Sequence, residues 1–225
     1  GKYIELGTNF DDNMQGLYVP TYLIEGDGAL APDLKTVDDL KKYPEIFQDP
    51  EEPEMGIIYG GPEGWGATAH LHKKMEEYGL EEMYNFRPID SSATLSATLK
   101  AAYDKGEPWV GYNWEPTWIM GLYDMTLLED SAYSAEDFEN GIGAFSSVNV
   151  VVACNAEFEE NYPELADFFR NYTTSSALTS AGLGYMQENG AEADEAAKWF
   201  IQENSDLIKG MVTADAYDKI MAAIN

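Results

Sequence analysis

The sequence predicts an α/β protein. Short apolar runs alternate with helical patterns through most of the chain, Gly or Pro punctuates each change, and helical patterns dominate from about residue 157 onward. "GLYVPTYLI" (16–24) is extended, with Pro20 interrupting any long strand. "TVDDLKKYPEIF" (36–47) is a short helix capped by Thr36, and the acidic, proline-bearing "QDPEEPE" (48–54) is a loop. "MGIIYGG" (55–61) is a strand, followed by a glycine-rich turn and a helix running to Tyr78 with Gly79 as its stop. "YNFRPIDSS" (84–92) is a strand and turn, and 92–106 is a helix with Leu95, Leu99 and Ala102 on one face. "EPWVGYNWEPTW" (107–118) is an aromatic strand broken at Pro116, and 134–143 holds a short turn or helix. "AFSSVNVVVACN" (144–155) is the strongest strand and reads as buried; 157–173, 178–189, 191–203 and 213–224 are helical. The strand–helix–strand order argues for largely parallel sheets.

Composition narrows the function. The 225 residues are 44% hydrophobic, enough for a core of one large domain or two small ones. There are 41 acidic against 13 basic residues, a net charge of -28. Phosphate binding needs clustered Lys and Arg, so nucleic acid is excluded as a partner, and the acidic surface reads as a solubility feature. The single cysteine, Cys154, permits no internal disulfide and reads as an inert core thiol. No apolar run approaches the ~20 residues of a membrane-spanning helix. No secretory leader pattern is present, and the opening "GKYIELGTNFDD" without an initiator Met suggests a processed or truncated chain.

The motifs of common enzymes are missing. "GGPEGWG" fits neither a P-loop nor a GxGxxG turn, and no GxSxG elbow occurs. His70 and His72 stand two apart on a helix, facing different sides, whereas a zinc pair prefers a spacing of four; both read as ordinary helix residues and no cofactor is expected. The many carboxylates single out no catalytic pair.

The aromatics are more informative. Tyr112 and Trp114 share a strand face, and Pro116 places Trp114 near that strand's C-terminal end. Trp65 occupies another strand–helix turn, at a helix start where Ser, Thr, Asp or Asn is usual. Ligands of α/β sheets bind outside the C-terminal strand ends. Parallel, adjacent strands would therefore set Trp65 and Trp114 on one cleft, offering π faces to a cation. Core or surface packing is the alternative for these rings. Gly66 and Ala67 would open the helix with N–H groups that have no intrahelical partner, an anion site made of backbone and helix dipole. The two halves suit a small zwitterion with a quaternary ammonium at one end and a carboxylate at the other.

These stretches, with "QGLYVPTYLI" (15–24), "GPEGWGATAH" (61–70), 91–130 and 144–169, resemble the substrate-binding proteins of ABC transporters for glycine betaine, proline betaine, carnitine and choline. The resemblance runs over almost the whole chain. It implies a two-lobed, type II-like periplasmic-binding-protein (Venus-flytrap) fold. Residues 1–22 would be part of lobe I and a first crossover, 23–144 a continuous lobe II, and 145–225 the second crossover and the C-terminal part of lobe I. The resemblance implies that Trp65 and Trp114 wall an aromatic cage, that Gly66 and Ala67 N–H groups hold a carboxylate, and that Thr68 stands where choline binders often have Asn. Tyr18, Tyr22 or Tyr112 could add to the cage; Trp118 could equally pack against lobe II. The family's usual N-terminal segment of lobe I would be lacking, leaving lobe I incomplete. The implied function is non-catalytic capture of a quaternary ammonium osmolyte outside the cytoplasm, in the periplasm or anchored on the outer membrane face, and delivery to a transmembrane permease. A choline- or carnitine-specific binder, a sensor domain of the same fold, and a carbohydrate-active enzyme are the alternatives.

Overall fold

The computed structural model describes residues 3–224. In chain order the elements are β1 (Tyr3–Phe10), β2 (Gln15–Pro20), β3 (Gly56–Gly60), α1 (Gly66–Glu77), β4 (Tyr84–Pro88), α2 (Ser92–Tyr103), β5 (Gly111–Trp114), α3 (Trp118–Leu122) and β6 (Met125–Leu127). They continue with α4 (Ala135–Glu139), β7 (Val150–Asn155), α5 (Phe158–Asn161), α6 (Pro163–Asn171), α7 (Ser176–Asn189), α8 (Ala193–Glu203), α9 (Ser205–Met211) and α10 (Ala214–Ile224). Two compact units result. One comprises Met14–Trp114 and Tyr123–Ser146; the other takes the residues up to Asn13, Glu115–Leu122 and the chain from Ser147 onward.

The first unit holds a five-stranded sheet in the order β4-β3-β5-β2-β6. It is mixed, which corrects the expectation of largely parallel sheets: β3 is parallel to β4 and β5, while β2 is antiparallel to β5 and β6. β3, β4, β5 and β6 run in one direction, joined through α1, α2 and α3, and the sheet is mixed because β2 alone runs the other way between β5 and β6. Leu17, Val19, Ile58, Leu71, Leu95, Leu99 and Trp109 fill the core around the sheet. Local chemistry sets the helix limits. Gly79 takes the left-handed conformation that ends α1, and the Ser91 hydroxyl accepts the Thr94 N–H at the start of α2. The helix expected over 36–47 shrinks to a 3-10 turn at Asp38–Lys42, because Pro44 disfavours helical geometry just before it; Thr36 Oγ1 still accepts the Asp39 N–H at 3.2 Å.

Among the described residues the strands of the second unit are β1 and β7, paired antiparallel. α6 lies against β1, and α3 packs on α7. The strand expected over 144–155 forms only at 150–155, and none of its residues is buried. Cys154 is half-buried rather than a core thiol. The helical tail contains one helix, α9, beyond those its sequence pattern predicts.

Candidate functional site

The site grows from the junction of β3 and α1. β3 ends at Gly60, and the turn closes when the Trp65 N–H donates to the Pro62 carbonyl at 2.9 Å. Trp65 is the N-cap residue, extended at φ -86° and ψ 140°, with no side-chain cap and no acidic residue in the first turn. The helix ladder begins with the Ala69 N–H donating to the Trp65 carbonyl at 3.1 Å, so the N–H groups of Gly66, Ala67 and Thr68 lie ahead of it. A Cβ on Gly64 or Gly66 would meet nothing within 4 Å, so no packing within the protein demands glycine at either position. The demanding glycine is Gly61, where a Cβ would stand 2.9 Å from the Trp65 ring.

β3 and β5 are parallel neighbours, Tyr59 opposite Gly111, and Trp114 is the last residue of β5. Trp65 and Trp114 therefore leave the C-terminal ends of adjacent parallel strands. Their rings meet edge to face, centroids 5.3 Å apart at 77°. Tyr112 lies nearly parallel to Trp114 at 5.8 Å and edge-on to Trp65 at 6.4 Å. Trp65 and Trp114 are half-buried, and perpendicular rings make a corner in which a cation can touch two π faces. Tyr112 is 4% exposed and backs the corner instead of walling it. Its hydroxyl donates to Gln15 Oε1 at 2.7 Å, and burial pushes its pKa up to about 12, so it remains a neutral donor. Phe145 stands behind it at 6.0 Å, edge-on to His70 at 4.8 Å.

The structure thus brings together Trp65, Gly66, Ala67, Thr68, Tyr112 and Trp114. It does not bring Tyr18 to them. Leu17 pairs with Tyr112 and Tyr18 with Gly111, so the alternation of side chains turns Tyr18, 1% exposed, to the opposite sheet face. Tyr22 is engaged elsewhere: its hydroxyl donates to the Glu107 carbonyl at 2.7 Å and its ring meets Tyr103 edge-on. Trp118 begins α3 in the second unit. Gly61, Gln15 and Phe145 join the site without being predicted from sequence. The "GG" before the turn signals Gly61, whereas Gln15 and Phe145 carry no local signal.

Thr68 is fully buried, and its hydroxyl has no hydrogen-bond partner. A buried unpaired hydroxyl costs about 1–3 kcal/mol. Thr68→Val, with the same shape, is therefore expected to match or exceed the parent's unfolding temperature. A loss above about 1 kcal/mol by chemical denaturation would show that the hydroxyl is bonded after all.

His70, also buried, holds the Phe138 carbonyl through Nδ1 at 2.9 Å and stacks on the Phe138 ring at 3.8 Å. Nδ1 carries the proton, and Nε2 is buried without a partner. Burial first, and the nearby Lys74 ammonium second, lower the His70 pKa to about 4 from 6.5. The unfolded chain then binds the extra proton between those values. Its stabilising contribution is complete above pH 6.5 and is lost as pH falls toward 4, a change of up to about 3 kcal/mol. Acid unfolding curves of His70→Gln are expected to flatten across that window relative to the parent; curves of equal slope would contradict a buried neutral imidazole. Lys74 itself is buried, bonded to Asp130 and to the Gly143 carbonyl at 2.9 Å, and its pKa is lowered chiefly by burial. Among the described residues no group of three or more His, Cys, Asp and Glu is placed to hold a metal ion. No helix among them is long and apolar enough to cross a membrane.

The comparisons with known proteins point the same way. Residues 1–203 match the family model "Substrate binding domain of ABC-type glycine betaine transport system". A trimethylamine N-oxide-binding protein of Pelagibacter ubique is 22% identical over 92% of this chain and 67% of its own length. Among solved structures, the glycine betaine/L-proline-binding protein ProX of Borrelia burgdorferi aligns with a TM-score of 0.58 at 19% identity, over 97% of this chain and 72% of that one. Lactococcal OpuAC in its closed-liganded conformation with glycine betaine also aligns at 0.58, with 20% identity over 94% of this chain and 71% of its own. The α/β fold is thus related to that of type II periplasmic binding proteins. These members bind substrate and perform no chemistry on it, and by the match over most of its length the chain belongs to the family of substrate-binding domains of ABC-type glycine betaine transport systems.

Proposed function

We propose that this chain is the ligand-capturing part of an extracytoplasmic, two-lobed solute-binding protein that takes a quaternary ammonium osmolyte and delivers it to an ABC-transporter permease. The observation that carries the reading is the perpendicular Trp65–Trp114 corner beside the uncapped N-terminus of α1. The corner offers two π faces to a trimethylammonium group, which makes no conventional hydrogen bonds. The N–H groups of Gly66 and Ala67, with the positive end of the helix dipole, would hold the ligand's anionic oxygen. Glycine betaine fits this pairing. Trimethylamine N-oxide, the ligand named for the Pelagibacter relative, carries the same trimethylated nitrogen and a negatively polarised oxygen, and is the second ligand to test. Choline retains the cation but would leave the helix N-terminus facing a neutral hydroxyl.

Titration calorimetry of the protein with glycine betaine, trimethylamine N-oxide, choline and glycine tests the reading. Saturable binding of the first two, weaker binding of choline and none of glycine is expected. A protein that binds none of them, or glycine as tightly as glycine betaine, overturns it.

A further inference from the structure

Two rings stand against Trp114. Trp65 meets it edge to face, and Tyr112 lies nearly parallel to it, centroids 5.8 Å apart at 24°. Trp65 is the opposite wall of the corner, so Tyr112 is the ring that backs the Trp114 face and sets its tilt.

Tyr112 is buried, and close packing on every side ordinarily fixes a buried ring. Its surroundings here are looser. Leu17 is its partner on β2, the Phe145 ring is tilted against it by 53° at 6.0 Å, and Gln15 takes its hydroxyl bond. All three of these neighbours also line a hollow of about 290 Å³, together with Leu71 and Leu127. The layer between Tyr112 and that hollow is one side chain deep, and side chains facing a void lack contact atoms on that side. Packing alone therefore leaves the ring room to tilt. A directional bond at its far end removes that freedom.

Strand register places the bond. In the antiparallel β2–β5 pair, Gln15 is opposite Trp114 and Leu17 is opposite Tyr112. Cross-strand partners point to the same sheet face, so Gln15 stands beside Trp114 and diagonal to Tyr112. A long side chain spans that diagonal, and the Tyr112 hydroxyl donates to Gln15 Oε1 at 2.7 Å. Gln15 is half-buried. Leucine would fill the same position at no cost in amide desolvation, but it cannot accept the Tyr112 proton.

We propose that Gln15 is a positioning residue for the cation end of the site: it fixes the tilt of Tyr112 and, through the Tyr112–Trp114 stack, the angle at which the Trp114 face meets the ligand. This role rests on the osmolyte-binding reading of the corner. Gln15 itself makes no contact with the ligand. A ring attracts a cation over its negative face and not at its positive edge, so a tilt of Trp114 weakens binding without removing any group that touches the ligand.

The test is a double-mutant cycle of Gln15→Leu, Tyr112→Phe and the variant carrying both, measured by titration calorimetry with glycine betaine. Each single change is expected to weaken binding about fivefold, and the pair about fivefold as well, because either one breaks the same bond. Independent effects would multiply to about 25-fold. That outcome, or parent affinity in Gln15→Leu, overturns the proposal. A second readout needs no ligand. The Trp114 indole N–H signal in a proton–nitrogen correlation spectrum is assigned by its absence from Trp114→Phe. It is expected to shift in Gln15→Leu and Tyr112→Phe alike, and no further in the double variant, while the signal of the buried Trp109 stays in place. An unmoved Trp114 signal overturns the positioning role. A parent protein that binds no glycine betaine overturns the osmolyte reading instead, and the indole signal still decides whether Gln15 sets Trp114.

Discussion

Trp65→Ala is expected to weaken glycine betaine binding by about 30-fold or more. The substitution removes one of two π faces, worth about 2 kcal/mol when water is excluded, and the apolar contact that goes with it. Trp114→Ala removes the other face and is expected to behave alike. The fold should survive both. The Trp65 side chain makes no capping bond, and Trp65 and Trp114 are half-buried rather than core residues. Calorimetry on each variant, beside a thermal unfolding curve, separates lost binding from lost structure. Trp65→Phe, which keeps a smaller ring, is expected to fall between parent and Ala. If Trp65→Ala and Trp114→Ala both bind like the parent, the corner is packing and not a ligand site.

The second large effect lies away from the site. A Cβ on Gly121 would stand 2.0 Å from the Ser180 carbonyl oxygen and 2.6 Å from its carbon. Those are backbone atoms of α7, so no side-chain rotation relieves the overlap. Gly184 completes the contact from the other side: a Cβ there would meet the Gly121 backbone at 3.1 Å. Gly121→Ala must push α3 from α7, at a cost of at least about 3 kcal/mol and an unfolding temperature lower by about 10 °C or more. Gly182→Ala on the same helix is the control. Nothing lies within 4 Å of its added methyl, and replacing a helical glycine is expected to stabilise by up to about 1 kcal/mol. Unfolding of Gly121→Ala at the parent's temperature would show that the two helices do not pack this closely.

The site is legible in the sequence to the extent that its signals are local. The stop of α1 at Gly79, the missing cap at Trp65 and the end of β5 before Pro116 each depend on a few consecutive residues. The two tryptophans and the open helix start can therefore be named from those residues alone. The family resemblance rests on the same stretches. What local signals leave open is pairing. That β3 and β5 are neighbours brings Trp65 to Trp114, and no residue in either strand announces it. Tyr18 has the look of a cage residue because it is aromatic and close to the right strand. Its register against Gly111 turns it to the other face, since adjacent positions on a strand point in opposite directions. The valine run at 150–155 announces a buried strand, and the structure puts it at an edge. Periodicity and turn chemistry act over a few residues, so the elements and the chemical character of the turn follow from the chain's own order. Strand neighbours and covered faces depend on residues far apart in that order, so which rings meet and which edge remains free is settled when the chain folds.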